Sequence, residues 1–222
     1  MIPVKKLPEP AAFSETVTKK AERFLSGKPS PNPKEIKENP YWRNALDDLY
    51  SAYGKVCAYS ALYCPRAMVT VDHYIPIHYL CIISKPGLAY SWDNFRLASR
   101  SMNSEKHIFL DVLDPFLIGT GWFIMDFPSL FIKSGENLSP EQTEKVEATI
   151  KRLKLNEKEK HIEYRREFLD DYCELCREYN NIAPAFNHLQ KKAPFIAFEL
   201  ERQGLAEKIV RMMKYPKTII KK

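Results

Sequence analysis

Met68-Val69-Thr70-Val71-Asp72-His73 is the stretch whose reading decides the fold. Val69, Thr70 and Val71 are β-branched or apolar, so the segment reads as a strand. It runs straight into Asp72-His73, two side chains able to do chemistry. Neighbours on a regular strand point to opposite faces. Asp72 and His73 therefore serve one site only where the strand ends or bends, and Pro76 supplies a reason for that. Further on, Ile75 to Tyr90 reads as a loop with a turn at Pro86-Gly87. Phe95-Arg96-Leu97 reads as a second strand, and a helix is expected from about Ser101. Before the strand, Trp42, Ala45, Leu46, Leu49 and Tyr53 recur at helical steps.

The polar residues on this frame are Asp72, His73, Asn94, Asn103, Lys106 and His107. Hydrolysis of a phosphodiester requires a water to lose a proton, and a neutral imidazole is the natural base near neutral pH. The transition state and the departing oxygen gain negative charge, which a hard divalent cation offsets. Mg²⁺ takes oxygen ligands and keeps several waters, so one carboxylate and one amide oxygen suffice from the protein. On this reading Asp72 and Asn103 hold one Mg²⁺ (or Mn²⁺), His73 is the base, and Asn94 pins the loop that carries it. Lys106 and His107 are the candidate phosphate contacts.

Asp-His closing a strand, Asn94 in a following loop and Asn103 with Lys106 on a short helix resemble the HNH, or ββα-metal, nuclease motif. The nine-residue step from Asn94 to Asn103 is similar to the Asn-to-Asn step in the HNH domain of the CRISPR DNA-cutting effector. Pro8-Glu9-Pro10, Cys57-Ala58-Tyr59, Trp92-Asp93-Asn94-Phe95-Arg96-Leu97, Asp114-Pro115-Phe116 and Lys192-Ala193-Pro194-Phe195-Ile196-Ala197 extend the resemblance to the HNH subunit of bacterial Septu-type and retron-linked anti-phage systems. The resemblance implies an endonuclease acting on DNA or RNA, tRNA included. It also implies an ABC/SMC-like ATPase partner and, in the retron-linked setting, a reverse transcriptase with its DNA–RNA product. The chain has no Gly-x-x-x-x-Gly-Lys-Ser/Thr of its own, so nucleotide binding falls to the partner. The class-level alternative is a non-catalytic subunit that scaffolds the ATPase.

Many HNH relatives carry two Cys-x-x-Cys pairs around a structural zinc. Here Cys57 is followed three residues later by Ser60, and the second pair falls at Ser99 and Met102. A zinc staple is not expected, and packing by Tyr59, Tyr63 and Trp92 has to hold the site instead. Cys173 and Cys176 are spaced for one helix face and are read as core. Asp111 and Asp114 offer a second metal, against the simpler reading of Asp-Pro as a turn. His78, His161 and His188 have no evident partners in the sequence.

The expected class is α+β: a small ββα-metal core embedded in a mainly helical protein. Residues 1–40 carry Pro3, Pro8, Pro10, Pro29, Pro31, Pro33 and Pro40 and read as an arm, with one helix over Ser14 to Leu25 and a linker from Gly27 to Asn39. The arm either straps its own core or docks a partner. Residues 41–135 form the nuclease core, closing with a hairpin over Gly121 to Lys133. Residues 136–222 are helical, with helices near 140–153, 157–179 and 193–213. The first of these is started by Ser139-Pro140 with Gln142 after it. Lys151, Arg152 and Lys154 read as a charged outer face. Lys208, Arg211, Lys214, Lys217, Lys221 and Lys222 make a basic tail. Net charge is +6, which permits contact with a phosphate backbone without demanding it. Five scattered cysteines, no secretory leader and no apolar run long enough to span a membrane point to a reducing bacterial cytoplasm.

Overall fold

Prolines space the first forty residues without keeping them irregular. The computed structural model describes residues 1–157 and 161–212. A π-helical turn over Ser14–Thr18 runs directly into α1, Lys19–Gly27. Inside the expected linker lies α2, Pro33–Glu38. Asn32 Oδ1 accepts from Lys34 N (2.9 Å) and Glu35 N (3.1 Å), and Glu35 accepts in return from Asn32 N (2.8 Å). Pro33 occupies the first helical position, where its missing N–H costs nothing. A 3₁₀ turn at Tyr41–Ala45 then leads into α3, Leu46–Ala52.

β1 spans Val69–His73 and ends there; the chain bends at Tyr74 and Ile75. The stretch expected to be loop contains α4, Ile77–Ile82, and a 3₁₀ turn at Pro86–Tyr90. Pro76 is extended and precedes α4, so it starts a helix as well as ending a strand. β2, Phe95–Ser99, pairs antiparallel with β1 in the register Val71↔Leu97, Asp72↔Arg96 and His73↔Phe95. It passes directly into α5, Arg100–Lys106, where Ser99 Oγ accepts from Met102 N at 3.1 Å as the helix cap.

β3 (Phe123–Asp126) and β4 (Phe131–Ser134) form a second antiparallel hairpin. α6 covers Pro140–Arg152 behind the Ser139–Gln142 capping box. α7 is Glu163–Glu178; residues 158–160, at the start of the helix expected here, lie outside the described residues. α8, Ile182–Lys192, is an additional helix whose Pro184 sits in the first turn, where proline is tolerated. The last expected helix is broken into α9, Pro194–Arg202, and α10, Ala206–Met212. The break falls at Gly204, whose φ of +62° is accessible to glycine at little cost. From the basic tail, Lys208 and Arg211 lie on α10, and Lys214 to Lys222 lie outside the described residues.

The molecule is α+β, mostly helical, with two small antiparallel sheets. Two apolar clusters lie on either side of the β1–β2 hairpin. One face carries Val69, Val71, Phe95 and Leu97 against Phe13, Val17, Trp42 and Leu49. The other cluster joins Cys57, Tyr59, Ala98 and Met102 to the second hairpin and to α6–α10. These clusters cut across the segment boundaries at 40 and 135. The arm is built into the fold: Phe13 is buried, Trp92 Nε1 donates to Leu7 O (2.9 Å), and Val4 N donates to Pro115 O (2.9 Å). Among the described residues no helix is long and apolar enough to cross a membrane.

Candidate functional site

His73 sits on the last residue of β1, half-buried between aromatic edges. Its ring meets Trp42 at 4.8 Å and Phe95 at 5.5 Å between centroids, both near-perpendicular. Nε2 lies 2.8 Å from the carbonyl oxygen of Ala89, on the 3₁₀ turn that follows α4. A carbonyl can only accept, so Nε2 carries the proton. In the neutral ring Nδ1 is then an acceptor. Burial pushes the imidazole down from 6.5 to about 4, partly opposed by the Ala89 carbonyl and by Asp72. The group is therefore a neutral base of defined tautomer at pH 7.

Asp72 lies on the opposite face of the hairpin and is almost wholly buried. Its Oδ2 accepts from Tyr59 Oη at 2.5 Å, and its Oδ1 lies 3.2 Å from Lys106 Nζ. Burial, and then the neighbouring Asp72 charge, push the Tyr59 phenol well above its ordinary value, so it stays a donor. The Lys106 ammonium also donates to the His73 carbonyl oxygen (2.9 Å) and has no exposed surface. This corrects the expectation that Lys106 contacts phosphate: its charge faces into the protein. A buried ammonium next to a buried carboxylate is stable only when paired and hydrogen-bonded, and both conditions hold here.

Asn94 is buried and fully engaged. Its Oδ1 accepts from Ile75 N (2.7 Å), and its Nδ2 donates to Ile75 O and Leu88 O (both 3.1 Å). Its own carbonyl accepts from Tyr74 N (2.8 Å). The amide thus clips the bend after His73 to the segment that presents Ala89. Asn103 is half-buried on α5, three residues before Lys106 and so on the same helix face. Among the described residues its side chain has no hydrogen-bond partner. His107 ends α5 with φ +49°, is exposed, and lies 6.0 Å from the Phe109 ring.

The chain also brings in residues that the sequence did not single out. Arg96, opposite Asp72 in the register, makes a two-pronged pair with Asp114 (2.9 and 2.6 Å) and stacks 3.6 Å over Phe116. Arg152 holds Asp111 with both prongs and stacks 3.5 Å over Phe109. Asp111 and Asp114 therefore each face an arginine, and Asp114 Oδ1 also accepts from Phe116 N (3.0 Å), in keeping with the simpler turn reading of Asp-Pro. Arg152 through Asp111, and Lys154 through Glu105 at 3.0 Å, fasten the end of α6 to α5 and the segment after it, where a charged outer face was expected. Arg96 pairs with Asp114 outside the hairpin, which no local signal marked; Tyr59, expected to hold the site by packing, holds Asp72 by a hydrogen bond, and nothing local marked Trp42 as a neighbour of His73.

Cys57, Ser99 and Met102 converge. Cys57 Sγ accepts from Ser99 N (3.3 Å), and Ser99 caps the helix at buried Met102. Cys173 and Cys176 are buried on α7, while His78 and His188 are exposed.

Among the described residues no cluster of three or more His, Cys, Asp or Glu side chains is disposed to hold a metal ion. One carboxylate and one amide make a smaller set than that. As placed they do not fit a hard cation: Asp72 is almost wholly buried, with Oδ2 taken by Tyr59 and Oδ1 facing the Lys106 ammonium, while the Asn103 amide is unclaimed on α5. Neither protein-family models nor curated proteins yield a match to this chain.

Proposed function

We propose that this chain is a metal-dependent endonuclease of the HNH type that hydrolyses phosphodiester bonds in DNA or RNA. The observation that carries the reading is the state of His73: a neutral imidazole whose Nε2–H is spent on Ala89 O, leaving Nδ1 as the acceptor. It lies on a strand–strand–helix unit whose helix carries Asn103, while Asp72, the residue before it, faces the other side of the hairpin. His73 Nδ1 takes the proton of the attacking water, and the Ala89 carbonyl stabilises the imidazolium that forms. Asn94 fixes the bend on which that geometry depends. Asp72 and Asn103 are the residues proposed for one Mg²⁺ or Mn²⁺, which as placed they do not fit. His107, exposed at the end of α5, remains the candidate phosphate contact.

The proposal carries with it the partners that the resemblance implies. These are an ABC/SMC-like ATPase, a retron reverse transcriptase with its DNA–RNA product, and a place in bacterial cytoplasmic anti-phage defence. A specific observation favours the scaffold alternative: both Asp72 oxygens are already engaged and the residue is almost inaccessible.

The test is cleavage of plasmid DNA and total RNA with Mg²⁺ or Mn²⁺, by wild type and His73→Ala, each alone and with any co-encoded ATPase. Metal-dependent cutting that falls about 10²–10⁴-fold in the variant is expected. A variant that cuts at the wild-type rate overturns the assignment of the base. A folded wild type that neither cuts nor binds metal through Asp72 selects the scaffold.

A further inference from the structure

We propose that the exposed ridge following α5 binds single-stranded nucleic acid, with an unpaired base stacked on the Phe109 ring. The inference rests on the nuclease reading and goes beyond it by naming the form of the substrate: a single strand, RNA or DNA, in place of a duplex.

The ridge is irregular chain that exposes large apolar side chains while being held in place. Ile108 is 48% exposed, Phe109 39%, Leu110 49% and Leu117 74%. Phe109 N donates to Lys106 O (3.1 Å), Leu113 N donates to Thr149 Oγ1 (2.9 Å), and Arg152 grips Asp111 with both prongs. Apolar surface that is both exposed and fixed marks a contact site. The surroundings of Phe109 say what it contacts. The Arg152 guanidinium lies 3.5 Å from the ring centre and covers one face, which leaves the other face open. The ring of His107, the proposed phosphate contact, is 6.0 Å away. Lys151, exposed beside Arg152 in the last turn of α6, adds a positive charge. An apolar peptide needs no cations around its contact, whereas a base carried on a phosphate backbone does. In a duplex both faces of a base are covered by its neighbours, and only an unpaired base offers a face to an aromatic ring. The ridge also starts in the right place: Lys106, three residues before Phe109, donates to the His73 carbonyl (2.9 Å), where α5 meets the end of β1.

Fluorescence anisotropy of the full chain in EDTA tests the idea, with labelled oligonucleotides of about 12 nucleotides as single-stranded RNA, single-stranded DNA and DNA duplex. Wild type should bind a single strand about tenfold or more tighter than the duplex, and the RNA and DNA arms name the polymer. Phe109→Ala should weaken single-strand binding about 5–100-fold, the range for loss of one stacked base, while Phe109→Tyr keeps the ring and the affinity. Equal affinity for single strand and duplex, or undiminished binding by Phe109→Ala, overturns the inference. Failure to bind any of the oligonucleotides overturns it as well and gives the ridge to a protein partner. EDTA keeps metal and cleavage out of the measurement, so the two readings fail separately. His73-dependent cutting with Phe109→Ala as active as wild type on single strands leaves the nuclease reading standing and removes this inference. Phe109-dependent binding without His73-dependent cutting removes the nuclease reading and keeps the stacking site. Should Phe109→Ala fail to fold, NMR of wild type with ring-labelled phenylalanine decides. Upfield movement of the Phe109 resonance on adding the single strand supports stacking, and an unmoved resonance at saturation overturns it.

Discussion

At the scale of single residues, the imidazole of His73 and the ammonium of Lys106 are governed by what burial costs a charge. His73 is held down near 4 against an ordinary 6.5, so between those values the unfolded chain binds a proton that the folded chain refuses. Its contribution to stability is complete above 6.5 and is lost as pH falls through that window. Urea unfolding across pH 4–7 is therefore expected to show falling stability on acidification, with a shallower slope in His73→Gln. For the proposed reaction, the acid limb of the cleavage rate should lie near pH 4–5; a limb centred at 6.5 would mean that the working imidazole is solvated. Lys106→Met strands the Asp72 carboxylate, and metal-free protein should lose about 3–5 kcal/mol by chemical denaturation. Adding Asp72→Asn to that variant should recover much of the loss, because the stranded charge is then gone.

At the scale of elements, the site is a hairpin end clipped shut by one amide. Asn94 satisfies Ile75 at both its N–H and its carbonyl and reaches Leu88 as well. Asn94→Ala leaves these buried groups without their partner and should cost about 2–4 kcal/mol. Hydrogen exchange should rise from Tyr74 through Ala89 while β3 and β4 stay protected; uniform loss of protection would mean that the clip is global in its effect. A second fastening joins β2 to the segment after α5 through Arg96 and Asp114. Asp114→Ala leaves a buried guanidinium unpaired, with an expected loss of about 3–5 kcal/mol in urea unfolding.

At the scale of the whole molecule, the N-terminal arm is part of the wall behind His73. Phe13 meets Trp92 at 5.6 Å and Phe95 at 5.9 Å, and Phe95 in turn meets His73 at 5.5 Å. Phe13→Ala should therefore lower stability by about 3–5 kcal/mol. It should also move the His73 ring resonances in an NMR spectrum. Stability loss with unmoved His73 signals would show that the arm supports the core without shaping the site. The opposite cluster reaches the hairpin through Cys57, Tyr59 and Met102, so the same strands are buttressed from both sides.

The amino-acid sequence by itself determined the local grammar. Val69-Thr70-Val71 favour a strand because β-branched side chains suit a pleated surface, and Ser139-Pro140 starts a helix by satisfying its first N–H groups. The Asn32-Pro33-Lys34-Glu35 cap was equally legible, yet the prolines around it drew the linker reading. The break at Gly204 is passed over in reading one helix over 193–213, and α8 was hidden because Pro184 reads as a breaker unless its place in the first turn is known. Of the candidate site, the residue types and their order along the chain were readable. The roles of Lys106, Tyr59 and Ala89 were not. Local propensity depends on neighbours in the chain, but whether an ammonium faces solvent or a carboxylate 34 positions away depends on how strand and helix pack. Only the tertiary structure turned Lys106 inward, placed the Ala89 carbonyl against Nε2 and buried Asp72. Burial and the Ala89 carbonyl are what hold the His73 imidazole neutral and in one tautomer.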